Sequence, residues 1–341
     1  MNKKRECLNM TKNLSKMKNG KFLLMTMFLA ACMLASCGRT DDKPAVSGLS
    51  KMICDESFQN IMDDEIEVFE YQYPKSHVLS RYMGESAAFD SLMDGTVDLI
   101  ITYRELTSQQ REYLKSKSRA YRCRKIAIDG LAIIVNNEND IDELTMNDLK
   151  DIFTGASQRW GQVYPTKLKN DSILIIFDGN GTGALHYIQD KFNDGKQLSV
   201  KYFAQGSTED VFKAVESHKN ALGIVGVSWL SPNLDAVATT IDQRVEALSQ
   251  NTPPPENTFT DRIKVMKIRE DDKLEAYKPY QAYLYDGSYP LFRIIYAIDA
   301  SPVGSPDHDF FAFLTGVIGQ KIILQTGIVP ASVPIRMVEL Q

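Results

Sequence analysis

The sequence predicts an α/β fold of two lobes, each a mostly parallel sheet flanked by helices, joined by a two-strand hinge. Three observations predict it. Apolar strand-length runs alternate with helix-period segments over nearly the whole chain after residue 47, the pattern of layered βαβ units. The stretch Ile128–Gly161 (IDGLAIIVNNENDIDELTMNDLKDIFTGASQRWG) reads as a strand kinked at Asp129-Gly130, a loop, a capped helix and an aromatic-glycine turn. The chain that remains after its leader has 305 residues, enough for two cores.

Residues 1–36 read as an export signal. Lys12, Lys16, Lys18 and Lys21 make a basic start, and Phe22–Leu34 is an apolar run of signal-peptide length, short for a bilayer span. Leu34-Ala35-Ser36-Cys37 resembles the bacterial lipobox, whose Cys is lipidated and becomes the first residue. An ordinary signal peptide or a short anchor helix is the alternative. Residues 1–36 hold seven Lys/Arg and one Glu, so their removal takes the formal charge from −5 to −11. That acidity excludes nucleic-acid binding, which needs clustered cations. It does not exclude a small anion held by backbone N–H groups. Cys54 and Cys123 remain, both on strands, and two unpaired thiols are expected. No Cys/His spacing suggests a metal site.

After a polar tether at residues 37–47, the elements follow in order. Gly48–Cys54 is a strand. Phe58, Ile61, Met62, Ile66 and Phe69 fall at helical spacing, so Phe58–Tyr71 is an amphipathic helix. Strand His77–Tyr82, helix Ala87–Met93, strand Val97–Thr102 and helix Ser108–Lys117 come next. Tyr121–Val135 is a long strand bent at Gly130, and Thr145 caps a helix with Asp148 as return partner. Strand Ile173–Phe177, a Gly-rich turn, a helix to Phe192, strand Val200–Ala204, a helix from Thr208 and strand Leu222–Val227 form further units. Thr252–Thr258 is a proline loop, Tyr289–Ile298 a return strand, and Phe310–Gln325 a closing helix.

Loops that follow strands and open helices are where α/β proteins bind ligands. Asp55-Glu56-Ser57-Phe58, Gly84-Glu85-Ser86-Ala87 and Asp178-Gly179-Asn180-Gly181-Thr182-Gly183 each offer free N–H groups with a hydroxyl or amide. Tyr103-Arg104 adds a full positive charge. Each has a plain alternative: Ser57 and Ser86 as N-caps, the glycines as a tight turn, Arg104 as a surface ion pair.

Four strings resemble phosphate-type periplasmic solute-binding proteins of the type II periplasmic binding protein superfamily, in lipoprotein form. They are GTVDLIITYREL (Gly95–Leu106), IIFDGNGTG (Ile175–Gly183), YPLFRIIYAI (Tyr289–Ile298) and GQKIILQTGIVP (Gly319–Pro330); the lobe-crossing stretch at Ile128–Gly161 is similar too. The resemblance covers Gly48–Pro330. It implies lobe 1 from residues 48–133 plus 289–341 and lobe 2 from 134–288. It implies an oxyanion, phosphate or a phosphate-like ion, held by Ser57, Phe58, Gly84, Glu85, Ser86, Arg104, Gly179, Asn180, Gly181 and Thr182. It further implies an ABC importer permease as partner, a monomer, no cofactor or metal, and a place on the bacterial cell envelope, anchored by lipid on Cys37 and facing the periplasm or exterior. Two departures weaken phosphate: the family's Arg before its anion loop is Ile176 here, and its Ser is Asn180. A guanidinium is the strongest bidentate partner of an oxyanion. One nearby carboxylate could accept a proton from a protonated ligand such as hydrogen phosphate, but two, Glu56 and Glu85, would repel it. A sensor or surface interaction lipoprotein on the same scaffold is the second reading. A phosphate-ester hydrolase working through His186 is the remote third, since no metal-binding His pair or nucleophile elbow exists.

Overall fold

The computed structural model describes residues 46–230, 240–250 and 262–332. The leader, Cys37 and the Thr252–Thr258 loop lie outside them. Strand β1 (Gly48–Asp55) ends in a 3₁₀ turn, Glu56–Phe58, and helix α1 (Gln59–Gln72) follows. Strand β2 (Ser76–Met83), helix α2 (Glu85–Asp94), strand β3 (Leu99–Thr102) and helix α3 (Ser108–Ser116) complete the first block. β1 runs parallel to both β2 and β3, as βαβ connections require. β3 is buried at all four positions, as expected of a parallel strand covered on both faces.

Strand β4 (Arg122–Asn136) carries the chain into the second block. There follow β5 (Glu143–Thr145), α4 (Met146–Thr154), α5 (Trp160–Val163), β6 (Leu174–Phe177) and α6 (Gly183–Asn193). Then come β7 (Tyr202–Ala204), α7 (Thr208–Ser217), β8 (Ala221–Gly226), a 3₁₀ turn at Val227–Leu230, α8 (Ile241–Gln250), β9 (Ile263–Val265), β10 (Lys267–Arg269) and α9 (Gln281–Tyr285). The chain returns on β11 (Phe292–Asp299) and ends in α10 (Pro306–Leu314), α11 (Val317–Gln325) and β12 (Val329–Pro330). Thr145 caps α4 through the expected box: its hydroxyl accepts the Asp148 N–H and Asp148 accepts the Thr145 N–H.

The strand order is β2-β1-β3-β11-β4-β8-β6-β7, and β4 belongs to both halves. Its Arg122–Gly130 part pairs antiparallel with β11. From Leu131 to Val135 it pairs antiparallel with β8, whose neighbour β6 is parallel to it. From Ile126 on, every β4 residue except Ile128 is buried, so this strand is core to both halves. The return strand thus lies beside the outgoing one, as the two apolar runs flanking the middle block suggest. At the switch in partners, Arg293 of β11 lies opposite Asp129 of β4. Its Nε and Nη2 donate to Asp129 Oδ2 at 3.1 and 2.9 Å, and both side chains are wholly buried. Gly130 admits the neighbours that close this corner: a Cβ there would stand 2.8 Å from both Leu284 and Val227.

Several elements differ from the sequence reading. α2 begins at Glu85, two residues before Ala87, because Gly84 takes the N-cap position; Ser86 is therefore inside the helix and exposed. The closing helix is two helices, separated at Thr315-Gly316. On α1 the fully buried face includes Glu65 while Ile66 is only half-buried, and burial pushes the Glu65 carboxyl well up. Both thiols are free, Cys54 buried and Cys123 half-buried. No helix among the described residues is long and apolar enough to cross a membrane.

Replacing Asp129 with Ala strands the Arg293 guanidinium in the interior. Asp129→Ala is expected to lose about 3–5 kcal/mol of folding stability, measured by urea unfolding. A loss under about 1 kcal/mol shows that the pair does not hold the corner.

Candidate functional site

Three loops of the first half and one of the second meet along one edge of the sheet. Gly84, the N-cap of α2, packs against Gly181: a Cβ on Gly84 would stand 2.7 Å from the Gly181 carbonyl oxygen. The Glu85 N–H donates to that same oxygen at 3.1 Å. Gly181 has φ 95°, a left-handed backbone that glycine adopts without strain. The halves therefore touch backbone to backbone, and two glycines permit it.

Behind this contact two buried aspartates hold the loop donors. Asp55 Oδ1 accepts the Ser57 N–H at 3.0 Å, and its Oδ2 accepts the Gly183 N–H at the start of α6 at 2.7 Å. Asp178 Oδ1 accepts the Gly179 N–H at 3.0 Å and the Thr182 hydroxyl at 2.7 Å. Asp178 Oδ2 accepts the Ser57 hydroxyl at 3.3 Å. So Ser57, Gly179 and Thr182 come together as expected, but their donors turn to Asp55 and Asp178. The carboxyls that accept from these groups are thus Asp55 and Asp178, not Glu56 or Glu85, which were expected only to stand near the ion. Ser57 is not an N-cap either; Asp55 caps the turn. Burial raises the carboxyls of Asp55 and Asp178, and also Glu56, where the two aspartates add to the effect.

The cations stand on two sides. Arg104 stacks on the Phe89 ring at 3.8 Å, and its Nε lies 3.5 Å from Glu85 Oε1. It also donates to the Glu105 carbonyl and Gln110 Oε1. Its side chain is 34% exposed, which puts it at the rim. Glu85, buried, also faces His186 of α6, with Nδ1 3.3 Å from Oε2. This is a second link between the halves. Arg293 lies deeper, over the buried Phe58 ring at 4.3 Å, and its Nη1 is buried without a hydrogen-bond partner. Asn180 is exposed and Ile176 is buried in β6, so the Asp178–Gly183 loop and the strand before it supply no guanidinium.

A cavity of about 150 Å³ opens beside these groups, lined by Glu56, Gln59, Tyr82, Asp178, Gly206, Ser207, Thr208, Glu209 and Trp229. Both halves contribute, and its charged lining is acidic. The Trp229 indole N–H donates to the Ser57 carbonyl at 3.0 Å. No cluster that could hold a metal ion occurs among the described residues. Asp55, Asp178 and Gly183 lie in the loops that the sequence picks out but were given no ligand contact, and Arg293 lies outside those loops. An acidic residue directly after an apolar strand was the visible signal for the first two. Nothing local marked Arg293, whose partners are distant in sequence.

The PBP superfamily domain matches residues 42–315. The chain is 24% identical over 291 residues to the phosphate-binding protein PstS of Staphylococcus haemolyticus, covering 82% of each chain. It is 24% identical over 310 residues to PstS of Staphylococcus saprophyticus, covering 89% of this chain and 87% of that one. A putative phosphate ABC transporter substrate-binding protein from Clostridium perfringens, solved with bound phosphate, superposes with TM-score 0.64 at 18% identity. That match covers 84% of this chain and all of the other. Such a likeness fixes the fold; the ligand rests on the residues described above.

The Glu85–His186 link titrates. The hydrogen bond to Glu85 raises His186 above its ordinary 6.5, against a smaller opposing effect of burial. A raised folded value means that its stabilisation is complete below about pH 6.5 and fades as pH rises through the folded value. The melting temperature of the wild type should therefore fall more steeply from pH 6 upward than that of His186→Ala. Parallel curves for the two proteins rule the link out as a stabilising contact.

Proposed function

The chain belongs to the PBP superfamily, and from that membership we propose that it is the exported solute-binding component of an ABC importer. In this reading it is anchored by lipid on Cys37, faces the periplasm or exterior, and captures an oxyanion, phosphate or a phosphate-like ion, without turnover. The relatives named phosphate-binding proteins support the ligand class. One observation carries the reading: the turn after β1 and the N-terminus of α6 hold the Asp55 carboxyl on two backbone N–H donors, Ser57 and Gly183. Such donors serve oxyanions without a requirement for net positive charge. Ser57, Phe58, Gly84, Glu85, Ser86, Arg104, Gly179, Asn180, Gly181 and Thr182 form the proposed wall of the site. The proposed lobes are residues 48–133 with 289–341, and 134–288, opening about the β4–β11 crossing to admit the ion. The permease of the importer is the proposed partner of the monomer.

A different observation favours the second reading, a sensor or interaction lipoprotein that delivers nothing. The halves already touch at Gly84 and Gly181, and Asp55 and Asp178 satisfy the donors themselves.

A thermal-shift series with phosphate, sulfate, arsenate and a phosphonate separates the two. At a hundred times its dissociation constant a ligand adds about 2.7 kcal/mol, a rise of several degrees for this size. Arg104→Ala is expected to lose the rise and keep the fold. Transport of an oxyanion is the wrong reading if none of the four ions moves the melting point.

The anchor is tested separately. Cys37→Ser should lose acyl labelling and leave the membrane fraction, since each buried CH₂ of a lipid chain adds about 0.8 kcal/mol of membrane affinity. A variant that stays with membranes at high salt points instead to the Phe22–Leu34 run as anchor.

A further inference from the structure

We propose that Asp55 is the specificity-determining residue of the cleft: its carboxylate stands where a ligand's anionic oxygens would lie, and a small oxyanion binds by taking its place. The inference rests on the oxyanion reading of the same site.

Asp55 is wholly buried and sits between two elements that offer unsaturated N–H groups. One is the turn that opens at Ser57 and the other is the first turn of α6, eleven residues long. Its two oxygens satisfy one donor from each, at 3.0 and 2.7 Å. A helix N-terminus favours negative charge, so an acceptor is expected there; the choice of a side chain as acceptor is what sets this cleft apart.

A second, independent observation points to the same place. Arg293 is 2% exposed, and its Nη1 has no hydrogen-bond partner although Nε and Nη2 both bind Asp129. A methyl group on Gly183 would stand 3.2 Å from this Nη1 and 3.0 Å from Asp55 Oδ2. The free guanidinium nitrogen, the Gly183 N–H and the Asp55 carboxylate therefore converge on one point. A buried guanidinium N–H left unpaired is costly. A tetrahedral ion in place of the carboxylate has oxygens enough for Ser57, Gly183 and Arg293 together, where Asp55 serves only the first two. The missing guanidinium at Ile176 is then replaced from a different strand.

Two consequences follow. While Asp55 holds the donors, an entering dianion finds both of them taken, so affinity for phosphate is low. Removing the side chain frees both donors and leaves a space the size of a carboxylate.

The test is chemical rescue of Asp55→Gly. Melting curves are recorded for wild type, Asp55→Gly and Asp55→Asn in about 50 mM sodium formate, with sodium chloride at equal ionic strength as control. A phosphate titration is run on each. Asp55→Gly should melt below wild type, and formate should raise it by about 2 °C or more while leaving the other two proteins unmoved. Phosphate should half-saturate Asp55→Gly at a concentration at least about tenfold lower than wild type. Asp55→Ala is run beside it in case the glycine variant does not fold. The proposal is overturned if neither ion stabilises the Gly or Ala variant, if formate raises Asp55→Asn equally, or if wild type and Asp55→Gly both bind phosphate and half-saturate at the same concentration. Rescue by formate with no effect of phosphate on any protein keeps the stand-in and removes the phosphate-type ligand.

Discussion

The buried pair between Asp129 and Arg293 is the constraint on which the rest of the structure depends. Two opposite charges without solvent access are tolerated only when their remaining hydrogen-bonding groups are satisfied. Asp129 meets this through both oxygens: Oδ2 takes Nε and Nη2 of Arg293, and Oδ1 accepts the Val227 N–H at 3.2 Å. Arg293 meets it in part by lying on the Phe58 ring, a cation–π contact that gains strength when water is excluded. These partners come from the outgoing strand, the return strand, the turn after β8 and the turn after β1. One ion pair therefore fixes four chain segments at the place where β4 changes partners. Any displacement of β11 along β4 would break the charge pair, which makes the register there far stricter than apolar packing alone would.

From this corner the geometry of the cleft follows. Arg293 is held by two of its nitrogens, so the third can point only toward the start of α6. Phe58, fixed under the guanidinium, fixes in turn the 3₁₀ turn that carries Ser57 and Asp55. The Ser57 and Gly183 N–H groups are thus placed by the corner where β4 changes partners and not by the glycine-containing loops alone, which would otherwise sample many shapes. The outer contacts, Gly84 on Gly181 and Glu85 on His186, then close over a floor that is already set.

Much of this order was legible in the sequence. Alternating apolar runs gave the strands, and Thr145 with Asp148 gave a helix start that the capping box reproduces. That Asp129–Val135 lies beside the return strand was expected from the chain having to leave one half and come back, and it holds at Asp129 and Gly130 only, since Leu131–Val135 pairs with β8. The remainder was illegible for a physical reason: it depends on contacts between residues far apart in the chain. Glu65 falls on the apolar face of α1 by position but carries a carboxylate, so periodicity assigned the face to Ile66. The break at Thr315-Gly316 lies in a run whose composition is continuous. The small sheet of β5 with β10 joins strands of three residues each, too short to show a period. At the site, the loops were found but their wiring was not. Hydrogen bonds between Asp55 and Gly183 span 128 positions, and no local pattern announces them.

The same reasoning separates what the fold transmits from what it leaves free. Backbone N–H groups at helix starts are fixed by topology, so every chain with this strand order presents them at this edge of the sheet. Which acceptor meets them is decided by side chains. Here an aspartate follows β1 and another follows β6, and each turns back onto donors of the loops. In the proposed reading these are the donors of an oxyanion site, and the chain's own Asp55 and Asp178 carboxyls occupy them. A ligand must compete with groups tethered in place, whose effective concentration is far above that of a free ion. In the proposed reading, affinity is governed less by the number of donors than by how readily Asp55 gives them up. That property is set by the burial of its carboxylate and by the charge of Arg293 beside it, both consequences of the corner where β4 and β11 cross.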